Sequence, residues 1–403
     1  MRVHRWLVVA ALVVFAGCLG TTDPGAEAGT GNETGAVEGL STETLTIAED
    51  CGTCFEPTVA VHEDTAYVAS GSRDEILVTD LATGETDTVP EPPLPETANP
   101  DATTGDETVR VTDEGRLYFT ALLCDLACGS EGIQVAASDD GGQTWTINTA
   151  VNPVNYPTEP TSGVDRQWLG LGPGERVHLV YSQYAPRTGV WAALSEDGGQ
   201  SWQQFANAHP RPSAGSPGAP VVDGDTVILP GRSTTHVDVS TDAGQSWEVL
   251  DVPGPDVDRW MVGEQRHGNV HLAWTTDGGE VRYTRSTDGL QQWAEPASWT
   301  PEDANATAPP TLEVREDSLK IAWYDDHGDS LHVHVARAPL GEALEGPARV
   351  STLEPAFEPV ETSQGRACAP PTDFAHADGT TRGRAVVVYS SCENMHLGVV
   401  GPG

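Results

Sequence analysis

One eight-residue pattern recurs along the chain and constrains the fold more than any other feature. It reads Ser-x-Asp-x-Gly-x-x-Trp from Ser138, Ser195 and Ser240, and a fourth copy from Ser286 has leucine in place of glycine. The four serines are separated by 57, 45 and 46 residues. Repeats of about 40 to 50 residues are typical of propeller blades. The spacing therefore predicts a β-propeller.

Each copy of the pattern has the chemistry of a hairpin turn. Serine and aspartate side chains can bond to turn amides, glycine supplies the positive-φ position, and tryptophan covers the hairpin with a large apolar face. In the fourth copy Leu290 stands at the glycine position, so we expect that turn to be strained or rearranged. The residues that define the four turns are Ser138, Asp140, Gly142, Trp145, Ser195, Asp197, Gly199, Trp202, Ser240, Asp242, Gly244, Trp247, Ser286, Asp288 and Trp293.

The pattern resembles the Asp box of the sialidase-like, BNR-repeat β-propellers. In that family the Asp box lies between the third and fourth strands of a blade, on the face away from the substrate. The resemblance implies an all-β propeller over residues 43–403. It also implies that Asp140, Asp197 and Asp242 are structural and not catalytic.

The number of blades follows from the second strands, which have their own apolar pattern. The chain contains seven such segments, at 65–70, 116–123, 176–183, 226–231, 269–276, 318–326 and 384–391. After the last of them only one further strand candidate, 394–400, remains, and residues 43–49 could supply the missing outer strand. We therefore predict seven blades closed by an N-terminal strand, which leaves no exposed sheet edge. Six blades, the number in sialidases, is the alternative.

The N-terminus has the pattern of an export signal. Basic residues precede an apolar run from Trp6 to Phe15, and small residues lead to Cys18. The stretch 15–18 resembles a lipobox, in which the cysteine after the cleavage point carries lipid; an ordinary signal peptide is the alternative. We expect a signal peptide at 1–17, then a lipidated Cys18 and a disordered tether at 18–42. The protein is then held by its lipid at the outer face of the cytoplasmic membrane.

The other cysteines are consistent with an exported protein. They form three pairs along the chain, and an oxidising compartment favours disulfides over a metal site. A zinc site is the alternative, but the close pairs lack a clear second ligand half at zinc spacing. We expect local disulfides among Cys51, Cys54, Cys124, Cys128, Cys368 and Cys392.

The charge balance excludes one class of partner. The chain has 60 acidic against 21 basic residues, a formal net charge of −39, and a single lysine, Lys320. Phosphate binding needs a basic face, so a general nucleic-acid-binding function is excluded. An acid-coated, lysine-poor surface is the composition expected in concentrated brine, where salt screens self-repulsion.

Candidate site residues lie where inner strands begin. Blades three and five repeat an Asp-Arg-(x)-Trp motif, and a further arginine follows the second strand of blade four. Arg166, Arg232 and Arg259 could hold a carboxylate or a sugar, with Asp165, Asp258 or Asp373 in acid–base roles. The alternative is that each Asp–Arg pair is a structural bridge between blades.

The family resemblance implies sialidase chemistry only where the catalytic residues are present. Sialidases use an arginine in an R-I-P motif, a tyrosine nucleophile helped by a glutamate, and an aspartic acid. The corresponding stretch 54–59 has no arginine, and Tyr389, the candidate nucleophile, has an equivalent in Tyr181 that indicates a packing role. We therefore favour a monomeric propeller that binds a glycan or a surface protein without catalysis. A sialidase-like exo-glycosidase is the alternative.

The sequence gives little indication of a cofactor or a metal. The acidic segment 325–329 could ligate Ca²⁺ through oxygens, although an acidic hairpin turn accounts for it as well. His332 and His334 alternate along a strand face and indicate no metal by themselves. We expect no cofactor and no metal ligand set, with weak Ca²⁺ binding as the alternative.

Overall fold

The computed structural model describes residues 40–49, 55–71, 73–96, 98, 101–124, 130–151, 163–184, 188–205, 217–301, 304–328, 330–357, 360–362, 365–367, 376–379, 384–390 and 394–401. Within this part of the chain, seven four-stranded antiparallel sheets form a seven-bladed β-propeller. The prediction of seven blades is confirmed. None of the helices in these ranges is long and apolar enough to cross a bilayer.

The blades follow one another along the chain, each with strands ordered from the inside outwards. Blade one contains β2 (Phe55–His62), β3 (Thr65–Gly71), β4 (Glu75–Asp80) and β5 (Thr86–Pro90). Blade two contains β6 (Thr103–Val111), β7 (Leu117–Cys124), β8 (Ser130–Ser138) and β9 (Thr146–Val151). Blade three contains β10 (Val164–Leu171), β11 (Val177–Gln183), β12 (Gly189–Ser195) and β13 (Gln203–Phe205).

The next three blades repeat this order. Blade four contains β14 (Val221–Asp223), β15 (Thr226–Pro230), β16 (His236–Ser240) and β17 (Glu248–Asp251). Blade five contains β18 (Val257–Arg266), β19 (Asn269–Thr276), β20 (Val281–Arg285) and β21 (Ala297–Ser298). Blade six contains β22 (Thr311–Val314), β23 (Ser318–Asp326), β24 (Leu331–Pro339) and β25 (Arg349–Phe357), with a 3₁₀-helix at Leu340–Glu345. A hairpin of β26 (Val360–Thr362) and β27 (Gly365–Ala367) follows.

The seventh blade joins the two ends of the chain. Its strands are β28 (His376–Gly379), β29 (Ala385–Ser390), β30 (Met395–Val400) and, outermost, β1 (Thr42–Ala48). Leu45 faces Leu397 and Thr42 faces Val400 in the antiparallel register. The predicted N-terminal closing strand is therefore confirmed, within one residue of the expected bounds. Arg384, 2.6 Å from Asp64 between Nη2 and Oδ1, also ties this blade to blade one.

Apolar side chains from facing sheets form the core between neighbouring blades. Val59 and Val68 of blade one, for example, lie in the same buried cluster as Val386 and Leu397 of blade seven. These residues alternate along their strands with side chains that face the other neighbouring blade. Burial on both sheet faces explains why the second strands have near-continuous apolar sequences.

The Asp boxes form the turns between third and fourth strands, as the resemblance implied. In the second blade, Ser138 Oγ donates to Asp140 Oδ1 at 2.8 Å and accepts from the Gly142 amide at 2.8 Å. Both carboxylate oxygens of Asp140 also accept from Thr144, at 2.8 and 2.6 Å. The same four bonds recur around Asp197 and Asp242.

The fourth copy of the Asp-box turn is rearranged, as expected from the leucine at its glycine position. Ser286 Oγ accepts from the Val270 amide at 2.8 Å, and the turn is closed by a backbone bond from Gln291 to Asp288 O at 3.0 Å. Ser286 and Trp293 form an isolated bridge. Asp288 therefore lacks the hydrogen-bond pattern of its three counterparts.

The strand order gives the propeller two distinct faces. We call the face that holds the Asp-box turns and the first-to-second-strand turns the Asp-box face. The opposite face, the rim face, carries the second-to-third-strand loops and the connections into each inner strand. Arg166, Arg232 and Arg259 all belong to the rim face.

Several predicted features lie outside the described residues. They are the signal peptide 1–17, Cys18, the tether up to residue 39, Asp373, and five cysteines: Cys51, Cys54, Cys128, Cys368 and Cys392. Cys124 is described and lies buried at the end of β7. The local disulfides stay a prediction.

Candidate functional site

Two of the three predicted arginines meet around one tryptophan. The Cζ of Arg232 lies 4.6 Å and the Cζ of Arg166 lies 5.7 Å from the ring centroid of Trp260. Trp260 is 6% exposed. The ring therefore positions guanidinium groups from blades three and four by cation–π contact, which leaves their positive charge in place.

Backbone bonds fix this group of residues, which we call the arginine cluster (Arg166, Arg232, Arg259 and Trp260). Arg232 and Trp260 form an isolated antiparallel bridge. Next to it, the Met261 amide donates to Gly231 O at 2.9 Å and the Ser233 amide donates to Arg259 O at 2.7 Å. The loop of blade four is thus joined to the inner strand of blade five, and the arginines have a rigid support.

Both Asp-Arg motifs lie in irregular segments of inner strands. The register of β10 shifts between Asp165 and Trp168, and the register of β18 shifts between Val257 and Met261. Bulges of this kind redirect side chains and are common next to binding sites. Arg166 has φ 56°, a left-handed conformation that a bulky side chain adopts only under constraint.

The electrostatic environment of Arg232 differs from that of most arginines on this acidic protein. Within the described residues, no carboxylate forms an ion pair with Arg232. By contrast, Arg176 bridges Glu196 and Asp225 on the Asp-box face, and Arg282 pairs with Glu280 at 2.6 Å. An arginine held by an aromatic ring keeps its fork of N–H donors for an anionic ligand.

The acidic partners in the two motifs are already engaged. Asp165 accepts from the Arg166 amide at 2.8 Å and from the Tyr184 hydroxyl at 2.9 Å, and lies 3.7 Å from Arg166 Nε. Asp258 lies 3.7 Å from Arg259 Nε. These contacts pair each aspartate with the arginine that follows it, within one blade. This geometry favours a positioning role for Asp165 and Asp258 within their own blades.

Tyr389, the candidate nucleophile, lies in the core. It is 2% exposed, and its ring is 6.4 Å from that of His396 on the neighbouring strand. Burial raises the pKa of Tyr389 far above its usual value, although a hydrogen bond with Thr44 lowers it in part. Tyr181 in blade three is likewise fully buried. Both tyrosines therefore have the environment of packing residues.

A second group of charged residues on the rim face was not predicted from the sequence. Arg73, Asp74, Glu91 and Glu107 line a cavity of about 490 Å³ between blades one and two. Burial, and then the nearby charge of Glu107, raise the pKa of Glu91 to about 9. Glu91 Oε1 is buried and has no hydrogen-bond partner among the described residues. A neutral carboxylic acid beside a second acid is an arrangement capable of general acid–base chemistry.

The Asp-box face also holds a cavity, of about 630 Å³, between blades three and four. Arg176, Glu196, Asp225 and Asp242 line it. Its charged groups pair with one another, and the hydrogen bonds that hold Asp242 in its turn lower the pKa of that carboxyl group. This cavity is accounted for by the structure of the Asp-box turns.

Comparisons with known proteins identify the fold alone. No protein-family model and no curated protein matches the sequence. Among solved structures, the chain is similar to an ulvan lyase from a polysaccharide lyase family, at 13% identity and a TM-score of 0.53, covering 90% of this chain and 96% of the lyase. It is also similar to the phage phi92 endosialidase, at 8% identity and a TM-score of 0.52, covering 90% and 69%.

A third similar structure is a chain of a mitotic checkpoint complex, at 11% identity and a TM-score of 0.51, covering 96% of this chain and 99% of that one. Two of the three structures are thus of enzymes and one is of an assembly, so the shared fold does not determine function. The chain is a seven-bladed β-propeller with an endosialidase and a polysaccharide lyase among its structural neighbours.

Proposed function

We propose that the rim face binds an acidic glycan at the arginine cluster without cleaving it. The observation that carries the proposal is Arg232, which Trp260 holds at 4.6 Å and which no described carboxylate neutralises. A guanidinium group is complementary to the carboxylate or sulfate groups of such a ligand. Arg166 and Arg259, on the inner strands of the blades on either side of blade four, extend the site.

The charge of the protein and the salt around it favour binding of a glycan through short-range contacts. With a net charge of −39, the molecule as a whole repels anions. In the concentrated brine that we infer from this composition, the screening length falls to about 3 Å at 1 M salt. Directed hydrogen bonds from arginine then outweigh the screened long-range repulsion between the acidic protein and an acidic glycan. An anchor through Cys18 is proposed to hold the propeller at the outer face of the membrane, where exterior glycans are accessible.

Binding without catalysis is favoured because the predicted acid Asp165 is engaged and the predicted nucleophile Tyr389 lies in the core. Asp165 is engaged by Tyr184 and by two groups of Arg166, and Tyr389 is buried. A hydrolase of the sialidase type needs a free acid and an accessible nucleophile at its substrate. A protein partner at the same face is the other class of ligand.

One observation favours hydrolysis as a second candidate function. Glu91, with a pKa of about 9, could protonate a leaving group, and Glu107 in the same cavity could act as its partner carboxylate. Arg73, which pairs with Glu75 at 2.7 Å, also lines this cavity. This candidate reaction uses residues different from those of the arginine cluster, so the two functions can be tested separately.

The test applies the purified protein, in multimolar potassium chloride, to an array of sialylated, uronic-acid-containing, sulfated and neutral glycans. The proposal predicts binding to acidic glycans that Arg232→Ala weakens by about 10-fold or more and that Arg176→Ala, on the Asp-box face, leaves intact. Equal binding of neutral glycans contradicts it. The same sample is incubated with fluorogenic glycosides. Product release that Glu91→Gln removes establishes the hydrolase instead.

A further inference from the structure

Three side-chain atoms of kinds that can bind a metal converge on the rim face of blade six, and none belongs to the arginine cluster. Asp325 lies near the end of β23, His334 lies on β24, and His327 lies in the loop between these strands. Nε2 of His327 is 3.3 Å and Nε2 of His334 is 3.2 Å from Oδ2 of Asp325. The three donor atoms all lie within 4.8 Å of one another.

The two separations from Asp325 Oδ2 match those around a small tetrahedral ion. Ligand atoms bound to zinc at about 2.0 to 2.1 Å are about 3.3 to 3.4 Å apart, because the tetrahedral angle is about 109°. Both measured separations from Asp325 Oδ2 fall close to this range. The ligand nitrogens of His327 and His334, which lie within 4.8 Å of each other, would approach to about 3.4 Å when they share one ion with the carboxylate.

The surrounding residues orient the ligands as the outer partners of metal sites do. Nδ1 of His334 lies 3.0 Å from Thr352 Oγ1, which leaves Nε2 to face Asp325. The other carboxylate oxygen, Oδ1 of Asp325, accepts from the Asn305 amide at 2.6 Å. Trp323 packs beside the His334 ring at 5.4 Å. Such outer hydrogen bonds fix the tautomer and direction of a ligating histidine.

The exposure of the three residues suits a site that is fixed by the protein yet open to solvent. The side chains of Asp325 and His334 are 5% and 16% exposed, whereas that of His327 is 44% exposed. A third histidine, His332, stacks 6.1 Å from His334 and lies 4.8 Å from the His327 ring. Its Nε2 is 3.2 Å from Ser330 Oγ, so it is placed outside the ligand set.

We propose that Asp325, His327 and His334 bind one divalent transition-metal ion of the zinc class. Two imidazole nitrogens and one carboxylate oxygen suit zinc and its neighbours, whereas Ca²⁺ takes six to eight oxygen ligands. Three protein ligands leave a fourth position for water or an anionic oxygen on the rim face. The site is independent of glycan binding at the arginine cluster and stands or falls separately.

The test measures zinc binding directly. The full chain, purified without a histidine tag, is stripped with EDTA and equilibrated by dialysis against zinc chloride at fixed potassium chloride concentration. Metal is then counted per chain by mass spectrometry. We expect one zinc ion per wild-type chain and a rise in melting temperature on zinc addition. Asp325→Asn and His334→Ala should weaken binding by more than about 100-fold, because lost outer partners alone cost about 10- to 100-fold.

The controls separate a lost ligand from a damaged fold. His327→Ala removes an exposed ligand without leaving a buried cavity, so it should keep the melting temperature measured in EDTA and still lose zinc. His332→Ala and His267→Ala, the latter on an exposed turn of the Asp-box face, should bind zinc like the wild type. The proposal is overturned if the wild type retains no zinc. It is also overturned if the ligand variants bind zinc as the wild type does, or if His332→Ala loses zinc while His327→Ala does not.

Discussion

Lys320, the one lysine in the chain, donates a hydrogen bond to Glu313 inside blade six. Nζ and Oε2 are 3.0 Å apart, and the two side chains are 3% and 5% exposed. Arg315 Nε donates to the other oxygen of Glu313 at 2.6 Å. Burial lowers the pKa of Lys320, and the charge of Glu313 opposes that shift. The single lysine therefore belongs to the core, and arginine is the cation of the surface.

Replacing Lys320 should be costly, because it leaves Glu313 buried with one cation fewer. We expect Lys320→Met to lower the free energy of unfolding by about 3 kcal/mol. The double variant Lys320→Met/Glu313→Leu should recover most of the loss, because neither charge then remains buried. Urea unfolding at constant salt measures both. A single-variant cost below about 0.5 kcal/mol, typical of surface changes, would contradict this account.

Glu91 should make stability fall as pH rises. Its pKa is about 9 in the folded protein against 4.5 for an ordinary glutamate, so the folded state holds a proton that the unfolded state loses. The favourable contribution is complete below about pH 4.5 and is lost as pH rises towards 9, by at most about 1.4 kcal/mol per pH unit.

Glu91→Gln keeps the shape and the neutral charge and should remove this dependence. The variant should match the wild type near pH 4 and exceed it in unfolding free energy at pH 8. Glu248→Gln, an exposed residue, serves as the control and should shift neither end of the profile. Parallel profiles for wild type and Glu91→Gln would show that Glu91 is ionised in the folded protein.

The Asp boxes offer a matched comparison between a bonded and an unbonded aspartate. Asp197 accepts hydrogen bonds from Ser195 and Ser201, whose donors lower its pKa to about 2, whereas no such bond reaches Asp288 from the described residues. Asp197→Ala should cost about 1 kcal/mol of unfolding free energy, and Asp288→Ala should change it by less than about 0.5 kcal/mol.

The pH dependence of the same comparison has a defined sign. Because the folded pKa of Asp197 is depressed, its contribution is present above pH 3.8 and is lost as pH falls towards 2. The difference in unfolding free energy between the wild type and Asp197→Ala should therefore shrink over that window. Equal costs for the Asp197 and Asp288 variants would refute a structural role for the box hydrogen bonds.

Arg166 lies in a strained backbone conformation, so its substitution by glycine and by alanine should differ in stability. Its φ of 56° favours glycine, so Arg166→Gly should be more stable than Arg166→Ala by about 1 kcal/mol. At Arg259 the order should reverse, with alanine the more stable, because that residue lies outside the left-handed region. Thermal unfolding of the four variants tests this. Alanine more stable than glycine at both positions would contradict the strain.

Much of the fold could be predicted because it is encoded locally. Each Asp box defines one turn, and the apolar second strands, such as 269–276 and 318–326, match the observed strands residue for residue. The closing strand followed from counting strands in the last blade. Leu290 also indicated correctly that the fourth turn departs from the others.

Less of the candidate site could be predicted from the sequence, because the site depends on contacts between blades. The three arginines were identified from their positions, yet the contact of Arg166 and Arg232 with Trp260 joins three blades and has no local pattern. Glu91 lies in a proline-rich stretch that indicates only a loop. Its burial depends on the packing of this stretch of blade one against the part of blade two that contains Glu107. The Asp325–His334 contact could have been predicted from a hairpin between these strands. The register pairs Asp325 with His332, and His334, two residues further along the strand, lies on the same face.

The most direct test of binding at the arginine cluster is the affinity of an acidic oligosaccharide for the wild type and for Arg232→Ala. Calorimetric titration in multimolar potassium chloride measures it, with Arg176→Ala as the matched control. Loss of a charge-assisted contact worth about 1.5 to 3 kcal/mol should weaken binding by about 10-fold or more in Arg232→Ala. The control should bind as the wild type does. Equal affinity of wild type and Arg232→Ala would show that the ligand does not bind at the arginine cluster.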